Sequence, residues 1–208
     1  MQVAQHASLC FRGTAMSSTP FDDAFNTILH NCRGLVLPLL NELFSEHYTG
    51  EETILFYSEE QLVNKPDQTQ EKRIADSNFA VISDKVKHYH LECQSKEDKR
   101  ILIRIFEYDA EIALENAFLN AEGLKIDFPN SALIYLRCNE VTPDEMFITI
   151  NTPGGSIRYP IPVMKIRSYS LQDIFNKNLL FLLPFYIFNF EDDFVSMKPD
   201  SDHYQQLL

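Results

Sequence analysis

The chain has 208 residues, of which 45% are hydrophobic and 12% aromatic, and this composition indicates a globular protein with a sizeable core and argues against a disordered chain. Its net charge of −12 argues against tight non-specific binding to nucleic acid, although nine of the eighteen basic residues lie between positions 65 and 104. No segment reaches the roughly 20 apolar residues that span a bilayer, and four cysteines without metal-ligand or disulfide spacing predict reduced thiols in a cytoplasmic protein.

The chain divides into three predicted parts. We expect residues 1–16 to form a disordered N-terminal extension, residues 17–190 a domain, and residues 191–208 an acidic flexible tail. Met16 opens the more orderly sequence and is a candidate start. The first residues lack the charged start and the long apolar run of a signal peptide, so a cytoplasmic location is predicted.

The first elements of the domain are predicted to be helical. Thr19 suits an N-cap and Pro20 the first helical position, and apolar residues at helical spacing follow them. Gly34 and Pro38 then interrupt the pattern. The sequence therefore predicts either two consecutive helices or one kinked helix, ending near position 50.

A short strand is predicted at residues 54–57, a loop at residues 64–70, and a hairpin of two strands at residues 74–83 and 86–95, which turns about residue 84. In the simplest register, residues equidistant from the turn oppose each other. The aspartate and the glutamate at the far ends of these strands then become cross-strand neighbours.

These two carboxylates are Asp76 and Glu92, and their Cβ atoms are expected about 4.5–5.5 Å apart. The two-residue period of a strand puts Gln94, His90 and His88 on the face of Glu92, and a slip of one residue would destroy the arrangement. The two histidines are expected to be half-exposed strand residues, which is a commoner outcome than a metal-binding pair.

The second half of the chain predicts a helix, further strands and a last helix. The predicted central mixed sheet flanked by helices defines an α/β (α+β) fold. Ser170 and Asp173 predict the cap of the last helix, and the apolar run that follows it predicts a buried core element. The helix is expected at residues 99–118, and the strands at residues 132–137, 146–151 and 157–163, the last two joined by a turn at residues 152–156.

Paired carboxylates on neighbouring strands predict a site for a hard divalent cation. Mg²⁺ prefers oxygen ligands and is commonly held by one or two carboxylates, so Asp76 and Glu92 are the candidate ligands, with Mn²⁺ as a possible substitute. The backbone carbonyl of Cys93 can complete the coordination, and Gln94 can orient water or contact a phosphate. Such a cation promotes phosphodiester hydrolysis, which makes cleavage of a phosphodiester the leading hypothesis.

Two alternatives weigh against this hypothesis. By spacing alone, a salt-bridged or exposed carboxylate pair is the commoner explanation of Asp76 and Glu92. The predicted cross-strand pairing and the nearby basic residues Arg73, Lys96 and Arg104 favour the functional interpretation.

Three segments carry a resemblance to a known family: Ile74-Ala75-Asp76, the run His90-Leu91-Glu92-Cys93-Gln94-Ser95, and the run Arg104-Ile105-Phe106-Glu107-Tyr108-Asp109. They resemble the PD-(D/E)XK nuclease superfamily, and within it the Rpn-type recombination-promoting nuclease/putative transposase proteins. The resemblance extends over about residues 17–190 and implies a restriction-endonuclease-like core. It also implies a Mg²⁺-dependent DNA endonuclease that acts in recombination or on mobile elements, with DNA as its partner.

The resemblance also implies roles for individual residues. Asp76 and Glu92 correspond to metal ligands, and Gln94 stands where the superfamily usually has a catalytic lysine. Arg104 and Tyr108, one helical turn apart, are expected to line the site. A first-helix carboxylate often joins such sites, and here either Glu42 or Asp23 could serve. Since glutamine brings no positive charge, the alternative is a catalytically weak or inactive relative that acts as a DNA- or protein-interaction module.

Overall fold

The computed structural model describes residues 20–57, 61–64, 70–73, 77–96 and 98–191. Within them, a six-stranded mixed sheet with helices on both faces forms the centre of the fold, as the sequence predicts. Asp76, the predicted extension at residues 1–16 and the tail beyond residue 191 lie outside the described residues. No helix in the described part of the chain combines the length and the apolar character that a membrane crossing requires.

The N-terminal segment forms two consecutive helices, which decides between the two predicted alternatives. Helix α1 (Pro20–Asn31) begins at the proline, as predicted, and a short 3-10 turn (Arg33–Leu35) joins it to α2 (Val36–Phe44). Helix α2 ends earlier than position 50, because Ser45 has a left-handed backbone conformation with φ of 54°.

The strands of the described residues have the following bounds. In chain order they are β1 (Thr53–Phe56), β2 (Gln61–Asn64), β3 (Gln70–Arg73), β4 (Asn78–Ile82), β5 (Val86–Gln94), β6 (Phe118–Asn120), β7 (Gly123–Lys125), β8 (Asn130–Tyr135), β9 (Glu145–Thr152) and β10 (Gly155–Lys165). The main sheet has the order β1-β4-β5-β8-β10-β9, while β2 pairs with β3 and β6 with β7 in separate ribbons. Strands β5, β8 and β10 are parallel to one another, and the other pairs are antiparallel.

The register between β4 and β5 is the one predicted from the turn. Asn78 pairs with His90 and Ile82 with Val86, so paired residues are equidistant from residue 84. Beyond the strand, the Leu91 N–H donates to the Ser77 carbonyl oxygen at 3.1 Å, which extends the register by one further pair. The prediction is therefore confirmed up to Ser77, the residue that follows Asp76.

Alternation along β5 sends its side chains to two different cores. Tyr89, Leu91 and Cys93 join the larger core, which α1, α2, α4 (Leu171–Asn176) and the 3-10 segment Leu180–Phe190 cover. The opposite face packs against α3 (Ile101–Glu115). Fully buried aromatic side chains such as Phe25 and Phe181 stabilise the larger core by about 1.5–3 kcal/mol each.

The C-terminal elements follow local signals in the sequence. The Ser170 hydroxyl accepts from the Asp173 N–H at 3.1 Å, and the Asp173 carboxylate accepts from the Ser170 N–H at 2.9 Å, which is the predicted cap of α4. The apolar run after it is buried in the core, as predicted. Strands β9 and β10 form the predicted hairpin, in which Thr152 pairs with Gly155.

The predicted helix over residues 99–118 is too long. Helix α3 ends at Glu115, where the Asn116 side chain donates to the Ile112 carbonyl at 2.8 Å. The next residues form the small ribbon of β6 and β7, in which Leu119 is 74% exposed, although its apolar side chain continues the helical spacing of α3 and predicts a buried position. Gly123, with φ of 138°, provides a turn conformation that competes with helix formation.

Candidate functional site

The candidate site lies at the carboxyl end of β5, a central strand between β4 and β8. The side chain of Glu92 points to the face that α3 covers, because its neighbours Leu91 and Cys93 point into the other core. Only 2% of Glu92 is exposed. A carboxylate at such a depth must be paired or hydrogen-bonded to stay ionised.

Arg104 and His90 lie beside the Glu92 carboxylate, one next to each of its oxygens. Arg104 Nη2 forms an ion pair with Glu92 Oε1, and Gln94 Nε2 donates to the same oxygen at 3.3 Å. The other oxygen, Oε2, lies 3.6 Å from His90 Nε2. Although Oε2 is buried, no donor within the described ranges forms a hydrogen bond with it. This oxygen therefore faces the His90 imidazole, and a metal ion bound to Oε2 would have to share it with that ring.

Behind Glu92, a fully buried histidine forms an ion pair with an aspartate of α3. His90 Nδ1 lies 2.8 Å from Asp109 Oδ1, and Ser131 Oγ donates to the same oxygen at 2.6 Å. Tyr159 OH donates to Asp109 Oδ2 at 3.5 Å. Burial lowers the pKa of His90, but the hydrogen bond to Asp109 and the nearby Glu92 carboxylate outweigh it and raise the pKa to about 9. The imidazole is therefore a cation at neutral pH.

Sequence reasoning missed this network. The expectation that His90 is half-exposed is wrong, because the residue is completely buried. Asp109 was assigned no role, yet it is also completely buried on the inner face of α3. A signal was present: Asp109 lies between the buried positions Ile105 and Ile112 of an otherwise apolar helix face. A charged residue at such a position requires a partner inside the fold.

The two residues after Glu92 contribute a carbonyl and an amide. Gln94 Nε2 donates to the Cys93 carbonyl oxygen at 2.7 Å. This carbonyl faces the β4 side of the strand, as does that of Leu91, which accepts from Ser77 Oγ at 2.7 Å. The Cys93 side chain is buried in the opposite core, as the sequence predicts. Only the backbone of this residue can therefore contact a ligand at the site.

Of the other predicted site residues, Tyr108 is fully described, Arg73 is described only by its backbone, and Asp76 is not described. Tyr108 of α3 packs edge-on against the His90 ring, with centroids 5.7 Å apart, so it contacts the network behind Glu92. The backbone of Arg73 belongs to β3, and its side chain lies outside the described part of the structure. Asp76 also lies outside it.

The two candidate first-helix carboxylates lie on helices that pack on the face opposite to the Glu92 side chain. Glu42 of α2 accepts hydrogen bonds from Lys177 Nζ at 2.6 Å and from Tyr169 OH at 3.0 Å. Asp23 is exposed on α1. The structure thus brings Glu92, Gln94, Arg104 and Tyr108 together, and gives Glu42 other partners.

The donor atoms present suit a hard divalent cation only if Asp76 joins them. Within residues 20–57 and the other described ranges, no group of three or more His, Cys, Asp and Glu side chains is arranged to hold a metal ion. The described oxygen donors are Glu92 Oε2 and the Cys93 carbonyl. Both are of the type that Mg²⁺ prefers, and a second carboxylate beside them would make a set that fits the ion.

Comparisons with known protein families, with curated proteins and with solved structures find no match to this chain. The geometry around Glu92 therefore carries the functional argument.

Proposed function

We propose that this protein is a Mg²⁺-dependent DNA endonuclease of the PD-(D/E)XK type, similar to the Rpn-type proteins of recombination and mobile elements. The observation that carries the proposal is the buried Glu92 carboxylate at the end of a central strand, whose Oε2 accepts no hydrogen bond from the described residues and lies 3.6 Å from His90 Nε2. The β4–β5 register supports it, because one more pair beyond Ser77 and Leu91 would oppose Asp76 and Glu92.

The proposed metal ligands are Asp76, Glu92 and the Cys93 carbonyl oxygen, with Mn²⁺ able to replace Mg²⁺. When bound, the ion supplies positive charge to a phosphoryl oxygen and makes water more acidic. Gln94, whose amide lies within hydrogen-bond distance of both Glu92 and the Cys93 carbonyl, orients a water molecule or a phosphate oxygen.

Arg104 has two roles in this proposal. Its guanidinium pairs with Glu92 and compensates the charge of this buried carboxylate. Because 26% of the Arg104 side chain is exposed, the same group can also reach a phosphate of the substrate. The planar donor fork of arginine suits both partners.

The surroundings of the site support DNA as the partner. Lys96, Lys99 and Arg100 are exposed in the segment between β5 and α3, next to Gln94 and Arg104. Glu97 and Asp98 stand in the same segment, which therefore carries a small positive net charge in a chain whose net charge is −12. The mixed sheet with helices on both faces supports the further proposal of a restriction-endonuclease-like core.

A second candidate function is a DNA- or protein-interaction module without strong catalysis. The observation that favours it is the set of internal partners at the site: Glu92 is paired with Arg104, and the Gln94 amide is bonded to the Cys93 carbonyl. The uncharged Gln94 also supplies no positive charge to a transition state.

Nicking of supercoiled plasmid DNA in Mg²⁺ separates the two candidates. We expect cleavage by the wild-type protein and its loss in Asp76→Ala and Glu92→Gln, the latter chosen because it keeps the size of the buried side chain. Glu145→Gln, an exposed change on β9, is the matched control. Equal cleavage by all four proteins would eliminate the site. Absence of cleavage and of Mg²⁺ binding in the wild type would support the interaction module.

A further inference from the structure

Three parallel strands end at the same level on one edge of the sheet. Gln94, Tyr135 and Lys165 are the last residues of β5, β8 and β10, and Tyr135 pairs with both Gln94 and Lys165. A basic residue stands two positions after each of these ends: Lys96, Arg137 and Arg167. The carboxyl ends of parallel strands are the usual position of ligand sites in such sheets.

The central one of these basic residues is firmly oriented. The Arg137 guanidinium stacks over the Phe188 ring at 4.4 Å and lies 5.6 Å from the Phe21 ring centroid. Its Nη1 donates to the carbonyl of Ser95 at 3.4 Å, directly after Gln94. Arg137 therefore presents its donor fork at the end of β5, on the side of the sheet where α1 and the 3-10 segment Leu180–Phe190 pack.

A carboxylate of the same chain occupies that fork. Arg137 Nη2 donates to Glu191 Oε1 at 2.7 Å, and Arg137 Nε pairs with Glu191 Oε2. The hydrogen bonds from Arg137 lower the pKa of Glu191, and the charges of Arg167 and Lys96 act in the same direction. Arg137 thus contacts the carboxylate directly, and the charges of Lys96 and Arg167 act on it. A two-pronged contact of this kind suits a phosphate as well as a carboxylate.

We propose that Lys96, Arg137 and Arg167 form a binding site for a phosphate of a nucleic-acid strand, and that Glu191 occupies this site as an internal competitor which the strand displaces. The inference rests on the proposed function, since it gives that site a means of regulation. In the sequence, Glu191 is the first of three consecutive acidic residues, Glu191-Asp192-Asp193, so the segment that competes with a phosphate is negatively charged.

The Arg137–Glu191 ion pair is partly exposed, which allows a phosphate to replace Glu191. The side chains of Arg137 and Glu191 are 27% and 40% exposed, so water and salt reach both partners. Such partly exposed ion pairs are weak compared with several phosphates of a polyanion that bind at once.

The test is fluorescence anisotropy with a labelled DNA oligonucleotide and the full chain in EDTA, with the Glu92→Gln substitution in every protein. Glu191→Gln is expected to tighten binding about five-fold, because one negative charge leaves the phosphate site. Glu145→Gln, which removes an equal charge from the exposed first residue of β9, is expected to change little, because no contact joins Glu145 to Arg137 within the described residues. Arg137 itself is left intact, since its contacts with Phe21 and Phe188 support the fold.

Lys96→Gln combined with Arg167→Gln provides a second test, and both residues are exposed. This double variant is expected to weaken binding, to reduce the salt dependence, and to abolish the gain from Glu191→Gln. If Glu191→Gln unfolds at a much lower temperature than the wild type, the double variant alone tests the proposal. Unchanged DNA affinity and unchanged salt dependence in the double variant would then overturn it.

Three further results would overturn the proposed site: no DNA binding by any variant, equal gains from Glu191→Gln and Glu145→Gln, or a gain that persists in the double variant. Thermal stabilisation by inorganic phosphate with unchanged DNA affinity in Glu191→Gln would assign the residues to a small anion instead. Because no cleavage is measured, loss of the nuclease hypothesis leaves this binding readout intact.

Discussion

Arg104 and Glu92 form an ion pair that joins the N-terminal half of α3 to the end of β5. Its two partners differ in environment: 2% of the Glu92 side chain is exposed, against 26% of the Arg104 side chain. Glu92 therefore depends on Arg104 more than Arg104 depends on Glu92. Arg104 also has a second partner, because its Nη1 lies 3.6 Å from Asp98 Oδ2. Removal of the arginine leaves a buried charge with less compensation.

Arg104→Gln is expected to lower the free energy of unfolding by about 1–3 kcal/mol, less than a fully buried pair because Arg104 is partly exposed. Urea denaturation in EDTA measures this loss, with the exposed Arg33→Gln as the control. Mg²⁺ should restore part of the lost stability, since it supplies positive charge to Glu92. Equal stability of both variants in EDTA would contradict the inferred dependence of Glu92 on Arg104.

The protonation of His90 predicts a pH dependence of stability. Its pKa is raised from 6.5 to about 9 in the folded protein, so its contribution to stability is complete below pH 6.5 and is lost as the pH rises through about 9. Unfolding measured from pH 6 to pH 10 should show this loss in the wild type. Asp109→Asn removes the carboxylate that raises the pKa and should flatten the same interval. A parallel pH profile in both proteins would disprove the assignment.

The cap of α4 gives a local prediction of stability. Asp173→Ala removes the carboxylate that accepts from the Ser170 N–H and hydroxyl, and is expected to lower the melting temperature by a few degrees relative to Glu140→Ala in thermal denaturation. The Ser170 hydrogen bonds lower the pKa of Asp173, so the difference should shrink as the pH falls through that lowered value. A difference that grows at low pH would be inconsistent with this cap.

Gln94→Lys tests the role of the uncharged residue in the proposed nuclease. A lysine there brings positive charge next to Glu92 and to the reacting phosphate, and we expect plasmid nicking to rise about tenfold or more. Gln172→Lys on the exposed side of α4 is the matched control for added charge. A rise of the same size in the control would show only a general gain in DNA affinity.

The sequence predicted the part of the site that depends on local patterns. A tight turn about residue 84 determines the register of β4 and β5, and the two-residue period then separates Cys93 from Glu92. Ser170 and Asp173 interact within one helical turn, so the cap of α4 could also be read directly.

The remainder of the site depends on contacts between distant segments. Asp109 acquires its role from His90 and Ser131, which lie 19 and 22 residues away, and no local pattern links them. Glu42 is engaged by Lys177, 135 residues further on, and therefore does not follow from its position in a helix. Leu119 leaves the helical pattern because a turn at Gly123 competes with the helix.

Binding of Mn²⁺ measured by electron paramagnetic resonance tests the central claim, which is that Glu92 and Asp76 hold a divalent cation. The account predicts that the wild-type protein and Glu145→Gln bind Mn²⁺ that Mg²⁺ displaces, and that Glu92→Gln and Asp76→Asn lose this binding while they stay folded. Equal Mn²⁺ binding by all four proteins would contradict it.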